Sequence, residues 1–144
     1  MLVQQILASK GTDRVISVTP ETSIADVTQV LSKHRIGSVV VSNNGDTAQG
    51  ILSERDIVRA MATHGADIVH DPASKHMTSK LVTCALGATA DQVLKTMTDK
   101  RFRHMPVVED GKLMGIVTIG DVVKARMTEL AMEKNALEGM IMGY

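Results

Sequence analysis

The sequence predicts a mixed α/β (α+β) fold built from two tandem β-α-β-β-α repeats, related by an approximate two-fold axis. The first observation is an internal repeat: segment 50–60 recurs at 115–125, with Gly, Ile, Asp, Val and Ala at matching positions. The second is that short apolar runs and amphipathic segments follow in the same order in both halves. The third is a composition of 144 residues with 44% hydrophobic side chains, enough for a sizeable aliphatic core.

The first copy begins with a predicted strand and a helix that Ser23 opens, with Asp26 three residues on as its capping-box partner. Two further strands are separated by an Asn-Asn-Gly-Asp turn, and a second helix closes the copy. The predicted bounds are a strand at Val15–Val18, strands at Ser38–Ser42 and Gly50–Ser53, a turn at 43–46, and a closing helix from near Glu54.

The second copy repeats this order, and Thr89 with Gln92 repeats the capping box. Between the copies, Asp71 and Pro72 are predicted to be the N-cap and first residue of a short linker helix toward Met77. The predicted bounds are strands at Leu81–Cys84, His104–Val108 and Leu113–Thr118, a turn at Asp110-Gly111, and a closing helix from near Ile119.

One copy of about 60 residues is only marginally able to bury a core, so the two copies are expected to share one core through their sheets. The predicted divisions are 1–68 and 69–130 for the two repeats and 131–144 for a C-terminal helical tail. An apolar stripe at roughly heptad spacing runs through the last segment. It predicts either a helix lying on its own domain or a contact between two chains. The stripe consists of Val123, Met127, Leu130, Leu137 and Ile141.

Both junctions between the last strand and the closing helix carry Gly-apolar-apolar-[Ser/Thr]-x-x-Asp. The hydroxyls are those of Ser53 and Thr118, and the carboxylates are those of Asp56 and Asp121. Free amides and the dipole at a helix start favour a phosphate, and a carboxylate can accept hydrogen bonds from both ribose hydroxyls. The same spacing is also an ordinary helix cap that needs no ligand. The motif alone leaves both interpretations open.

The duplicated motif resembles the CBS domain family over nearly the whole chain. The residues that carry the resemblance are 50–59 in the first copy, and 103–108 with 115–123 in the second. The resemblance implies a pair of CBS repeats (a Bateman module) of the stand-alone bacterial type, without catalytic activity. It implies an adenine nucleotide as ligand, AMP first, with ATP, ADP, NAD(H) or S-adenosylmethionine as alternatives.

Carried over by position, the resemblance implies that the two aspartates hold ribose hydroxyls and that Ser53 and Thr118 lie near ribose or phosphate. It places adenine against the first two strands of each copy, with Arg103 and His104 near phosphate. The first copy has Gly37-Ser38 at the positions of that pair, which predicts the weaker site at Asp56. The implied ligand-binding residues are Ile16, Ser17, Val18, Gly37, Ser38, Val39, Ser53, Arg55, Asp56, Val82, Thr83, Cys84, Arg103, His104, Met105, Pro106, Thr118, Gly120 and Asp121.

Sixteen basic residues balance sixteen acidic ones, which argues against a nucleic-acid partner. The single Cys84 lies in an apolar stretch, which predicts an unreactive thiol. His70 and His76 lack the tight Cys/His spacing of structural zinc, so no metal is expected. No catalytic triad or carboxylate pair stands out, and Arg55 and Arg59 suit either phosphate binding or a solvated helix face.

No signal-peptide layout or membrane-spanning run is present, and we expect a cytoplasmic protein with no membrane partner. We expect a homodimeric regulatory module that senses an adenine nucleotide in clefts between the repeats and acts on a regulated protein. The alternative is a structural or dimerisation adaptor whose ligand sites are vestigial.

Overall fold

The structure is a computed structural model that describes residues 1–11 and 15–143. The helices and strands follow the order that the repeat predicts, except for an additional helix at the start and for the first strand of the second copy, which is reduced to a bridge at Cys84. The helices are α1 (Val3–Ser9), α2 (Ile24–His34), α3 (Glu54–His64), α4 (Ala73–His76), α5 (Ala90–Lys100) and α6 (Ile119–Met142), with a 3-10 helix at Ala66–His70. The strands are β1 (Ser17–Val18), β2 (Ser38–Val41), β3 (Gly50–Ser53), β4 (His104–Glu109) and β5 (Lys112–Thr118).

The first repeat is a three-stranded sheet covered by helices. Strand β2 lies in the middle, parallel to β1 and antiparallel to β3. All four residues of β2 are buried, which fits a run of three valines after Ser38. Ser23 caps α2 as predicted, because its side chain accepts a hydrogen bond from the amide of Asp26.

The second repeat keeps only the β4–β5 hairpin as a regular sheet. The prediction of a strand at Leu81–Cys84 is wrong for all but its last residue. Only Cys84 in this segment pairs with β4, through an isolated parallel bridge to Val107. The physical reason is Pro106. At the matching position of the first repeat, the amide of Val40 donates to the carbonyl of Ile16, and proline has no N–H to donate.

Each repeat buries its own core, which corrects the expectation of one shared core. In the first, side chains of α2, β2, β3 and α3 meet around Leu52 and Val39. In the second, side chains of α5, β4, β5 and α6 meet around Met97 and Met105. A helix pair on one face of a short sheet thus encloses most of the buried side chains of each repeat, and the remaining ones come from α1, the 3-10 helix and the linker helix.

Helix α1, which the sequence did not predict, packs on the second repeat although it precedes the first. Val3 and Ile6 are buried in the second core, and the amide of Val3 donates to the carbonyl of Ala88 at 2.8 Å. The linker does the same for the first repeat, where the amide of Ala73 donates to the carbonyl of Thr22 at 2.7 Å. Each repeat is thus covered by the segment that precedes the other.

The linker helix is shorter than predicted and is capped differently. It covers only Ala73–His76 and has Pro72 at its N-cap, without a side-chain cap. The Asp71 carboxylate instead receives a 2.8 Å hydrogen bond from His76 and lies 3.5 Å from the ammonium of Lys75. The hydrogen bond from His76 is the main cause of the lowered pKa of Asp71.

Helix α6 has 24 residues and leaves the body of the second repeat after its first turns. Val122 and Ala125 are buried, whereas the apolar stripe is exposed, with Ile141 84% exposed. The stripe therefore does not lie on its own domain, and that alternative is wrong. Among the described residues, the structure has no helix that is long and apolar enough to cross a membrane.

If α1 is part of the second core, Ile6→Ala should lower the free energy of unfolding by about 2–5 kcal/mol, because the side chain is only 2% exposed. The matched control is Gln4→Ala, one helix position from the buried Val3 but exposed, which should change it by less than about 0.5 kcal/mol. Urea unfolding followed by circular dichroism measures both. Equal effects of the two substitutions would contradict the docking of α1.

Candidate functional site

Two open clefts lie between the repeats, and each combines the capped junction of one repeat with the strand entry of the other. We call them the Asp121 cleft and the Asp56 cleft. The Asp121 cleft, of about 720 Å³, joins Thr118 and Asp121 to Ile16 and Ser38. The Asp56 cleft, of about 390 Å³, joins Ser53 and Asp56 to the second copy. Both volumes suit small-molecule binding. The second-copy residues of the Asp56 cleft include Val82, Arg103 and Pro106.

In the Asp121 cleft, the strand β5 passes directly into α6, and Thr118 is both the last strand residue and the N-cap. The Asp121 carboxylate accepts a 2.9 Å hydrogen bond from the amide of Thr118, whose hydroxyl accepts from the amide of Asp121 at 3.2 Å. The ammonium of Lys10 lies 2.9 Å from the same carboxylate oxygen and donates to the carbonyl of Ile116. Burial raises the pKa of Asp121, but these bonds outweigh it and the net pKa is lowered.

In the Asp56 cleft, β3 passes into α3 with the same capping box. Asp56 Oδ2 accepts from the amide and the hydroxyl of Ser53, at 2.9 and 3.0 Å. Its other oxygen, Oδ1, faces the hydroxyl of Thr78 at 3.5 Å and the guanidinium of Arg59 at 4.0 Å. Both aspartates are therefore helix caps, and each keeps a carboxylate oxygen directed away from the cap.

The two covering segments also supply equivalent lysines. Because α1 covers the second repeat as the linker covers the first, Ser9-Lys10 occupies the place that Ser79-Lys80 occupies in the other half. Lys10 lines the Asp121 cleft and Lys80 lines the Asp56 cleft. The two segments differ in their contacts. Lys10 is bound to the carboxylate of Asp121. In the other half, the segment that carries Lys80 instead pairs with β3 through backbone hydrogen bonds between Thr78 and Ile51.

The two clefts meet at Gly37 and His104, which line both. A side-chain carbon at Gly37 would lie 3.2 Å from Nε2 of His104, so the glycine permits the imidazole to pack against the backbone. Burial lowers the pKa of His104, against the attraction of Glu54, which raises it. The imidazole is therefore mainly neutral at pH 7, and it suits hydrogen bonding better than ion pairing.

Twelve of the predicted ligand-binding residues line a cleft. They are Ile16, Gly37, Ser38, His104, Thr118 and Asp121 in the Asp121 cleft, and Gly37, Ser53, Arg55, Asp56, Val82, Arg103, His104 and Pro106 in the Asp56 cleft.

The remaining predicted residues do not line either cleft. Val18, Val39 and Met105 are buried in the cores, because strand side chains alternate between the core and the cleft. Cys84 packs against the second core, and burial raises the pKa of its thiol to about 11. Ser17, Thr83 and Gly120 are exposed outside the clefts.

The position of Arg103 removes the reason for expecting the weaker site at Asp56. The sequence associated Arg103 with Asp121, because both belong to the second copy. The structure places Arg103 in the Asp56 cleft instead, since each cleft takes its strand residues from the opposite repeat. Gly37, the counterpart of Arg103, lines both clefts and supplies a cation to neither.

Several cleft residues were missed by sequence reasoning. Leu7 lies on α1 and Lys10 directly follows it, and no local sequence pattern indicated that this helix packs on the other repeat. The signal that could have found the lysines is the repeated Ser-Lys pair at 9–10 and 79–80. The missed residues also include His34, Arg35, Ile36, Met114 and Lys124 in the Asp121 cleft, and Ile51, Glu54, Thr78, Lys80, Leu81, Lys100, Arg101 and Phe102 in the Asp56 cleft.

The groups in the clefts are suited to binding rather than to holding a metal ion. Apolar strand residues offer surface to a flat ring, carboxylates can accept hydrogen bonds from hydroxyl groups, and lysines and arginines also line both clefts. Across residues 1–11 and 15–143, the structure brings together no group of three or more His, Cys, Asp or Glu side chains that could hold a metal ion.

Comparison with known proteins gives one consistent family. The family model described as CBS domain matches residues 5–63 and 73–128. The structure of the CBS-domain containing protein ATU1752 from Agrobacterium tumefaciens has a TM-score of 0.83 and 43% identity, covering 88% of this chain and 99% of that chain.

Two further solved structures contain ligands. CBS domain protein PAE2072 from Pyrobaculum aerophilum, complexed with AMP, has a TM-score of 0.77 and 26% identity, covering 92% of this chain and 99% of that one. The CBS domain pair of protein MJ0100, in complex with 5'-methylthioadenosine and S-adenosyl-L-methionine, has a TM-score of 0.77 and 25% identity, covering 90% and 98%.

The lowered pKa of Asp121 predicts a pH-dependent contribution to stability. Because the pKa of Asp121 in the folded chain lies below its ordinary value of 3.8, the ionised carboxylate stabilises the fold above pH 3.8. That contribution is lost as the pH falls through the folded pKa. We therefore expect Asp121→Asn to destabilise the chain at about pH 7, by an amount that shrinks as the pH falls below 3.8.

The matched control is Asp26→Asn, which changes the same helix position in α2, where the side chain is exposed. Urea unfolding of both variants across this pH range measures the difference. An Asp121→Asn effect that stays constant with pH, or equals that of Asp26→Asn, would contradict the role of Lys10 and the Thr118 amide.

Proposed function

The chain belongs to the CBS domain family, and from this membership we propose that it is a non-catalytic regulatory module that binds adenine nucleotides between its two repeats. The observation that carries the proposal is the reciprocal construction of the clefts. Each cleft joins a carboxylate held at a helix start to apolar strand residues of the other repeat. Only a ligand that spans both repeats uses the two kinds of surface together.

We infer the ligand class from the chemistry of the clefts and from the solved relatives. AMP, 5'-methylthioadenosine and S-adenosyl-L-methionine, bound by two of those relatives, share an adenosine unit. In this chain, each aspartate has one carboxylate oxygen outside its capping bond that can accept from ribose hydroxyls, and the cations that line the clefts favour phosphate. AMP is our first choice, with ATP, ADP, NAD(H) and S-adenosylmethionine as alternatives.

In the proposed complex, the adenine ring lies against the strand residues at the back of a cleft. Ile16 and Ser38 serve the Asp121 cleft, and Val82 and Pro106 serve the Asp56 cleft. A ligand that reaches Asp121 meets Lys10 at the same carboxylate. Displacement of the lysine by ribose would free its ammonium for the phosphate, and α1 would respond to occupancy.

Regulation follows if two arrangements of the repeats bind the ligand with different affinities. The clefts contain residues from both repeats, so occupancy changes the free energy of their relative position. We propose that the change passes to a regulated protein through the exposed face of α6. The alternative is a structural adaptor with vestigial sites, and it is supported by the helix-capping role that both aspartates have without any ligand.

Adenine nucleotides should stabilise the fold, because a ligand that binds only the native state lowers its free energy. At 100 times the dissociation constant, the gain is about 2.7 kcal/mol for each site. Thermal melting with AMP, ATP, NADH and S-adenosylmethionine measures it, with GMP as the control ligand. The double variant Asp56→Asn/Asp121→Asn should lose most of the gain. Absence of any shift at millimolar ligand supports the adaptor instead.

We also propose that the chain forms a homodimer through the exposed stripe of α6. Introducing charge with Leu137→Lys and Ile141→Lys should shift the protein to the monomer, because each residue is more than half exposed in the single chain. The matched control is Asn135→Lys, which lies on the opposite face of the same helix. Light scattering during gel filtration reports the mass. A monomeric unmodified chain, or a dimer that survives both lysines, contradicts the proposal.

A further inference from the structure

We propose that the two clefts take different ligands: the Asp56 cleft takes nucleotides with two or three phosphates, and the Asp121 cleft takes a nucleotide with one. This inference rests on the proposed function, because it concerns the phosphate number of the ligand at each cleft. It comes from the cations, which the internal repeat allows us to compare position by position.

Three positions carry a lysine or arginine in both clefts. Lys80, Arg101 and Arg59 line the Asp56 cleft. Their repeat counterparts Lys10, Arg35 and Lys124 line the Asp121 cleft. The two arginines have left-handed backbone, with φ of 58° at Arg101 and 53° at Arg35, each at the C-cap of a helix. Glycine is the usual residue in that conformation. Because both repeats have an arginine there instead, we infer that the arginine side chain has a role.

Three further cations occur only in the Asp56 cleft. Arg55, Lys100 and Arg103 stand where the other half has Gly120, His34 and Gly37. One carboxylate is also added, because Glu54 replaces Ile119. The Asp56 cleft is thus lined by six lysines and arginines against two carboxylates, and the Asp121 cleft by three against one. In a chain with no net charge, this is a local concentration of positive charge.

The cations of the Asp56 cleft are also the more available ones. Lys10 is bound to Asp121 at 2.9 Å. In the part of the chain that the structure describes, the only ion pair among the six cations of the Asp56 cleft is Arg59 with Asp56, at 4.0 Å. All six side chains are exposed to solvent.

The difference in cleft size is compatible with this assignment. The Asp56 cleft is the smaller, about 390 against 720 Å³, but the phosphate chain need not fit within it. A nucleoside in the cleft would extend its phosphates toward the exposed cations, where each additional phosphate meets additional positive charge. The Asp121 cleft offers space and few cations, which suits AMP.

The test uses the full chain and two double variants that each remove two charges. Arg55→Gln/Arg103→Gln changes cations found only in the Asp56 cleft, and the matched control Arg35→Gln/Lys124→Gln changes cations of the Asp121 cleft.

Calorimetric titration with AMP, ATP, inorganic tripolyphosphate and orthophosphate measures binding. We expect the first variant to weaken ATP and tripolyphosphate at least tenfold and AMP less than threefold, with a smaller salt dependence for ATP. The control should weaken AMP and leave ATP within threefold.

The outcomes separate this inference from the proposed function. Equal losses of ATP in the two variants, or no binding of tripolyphosphate to the unmodified chain, would overturn the inference. If tripolyphosphate binds and is lost in the first variant while no adenine compound binds, the cation site stands and the adenine function fails. If the ratio of the AMP and ATP dissociation constants is the same at both clefts, the proposed function stands and the assignment of phosphate number fails.

Discussion

Both clefts depend on one local constraint, which is that a strand passes into a helix with no loop between them. Ser53 ends β3 and caps α3, and Thr118 ends β5 and caps α6. The helix can begin at once only because the aspartate three residues later returns a hydrogen bond to the amide of the capping residue. That bond fixes the carboxylate at the mouth of a cleft. Helix capping and the candidate binding role are therefore one arrangement of the same atoms.

The second constraint is the exchange of covering segments between the repeats. α1 closes the second core and the linker closes the first, through matching backbone hydrogen bonds to Ala88 and Thr22. Neither repeat is complete with its own residues, so their relative position is coupled to the folding of both. The same exchange places Lys10 in the Asp121 cleft and Lys80 in the Asp56 cleft. A change at a cleft is thereby linked to a segment that stabilises a core.

The two repeats have similar backbone structures, but individual side chains break their symmetry. Pro106 in place of Val40 removes one ladder hydrogen bond and shortens the sheet of the second repeat. Gly37 in place of Arg103 lets His104 pack between the clefts and leaves one cleft with fewer cations. Such substitutions leave the fold intact because they lie at strand entries and helix ends, outside the two cores. They are the places where two similar clefts become chemically different.

The sequence by itself determined the repeated element order, the capping pairs and the strand positions from β2 onward, because these depend on local periodicity and on residues three apart. It also indicated the family and twelve of the cleft residues. It could not show that Val39 and Met105 face a core. Successive side chains of a strand point to opposite faces, so a shift of one residue exchanges the core face and the cleft face. Nor could it show which repeat supplies which wall of a cleft. Only the tertiary structure decided that Arg103 faces Asp56 and that Lys10 reaches Asp121, because those contacts join segments from opposite repeats.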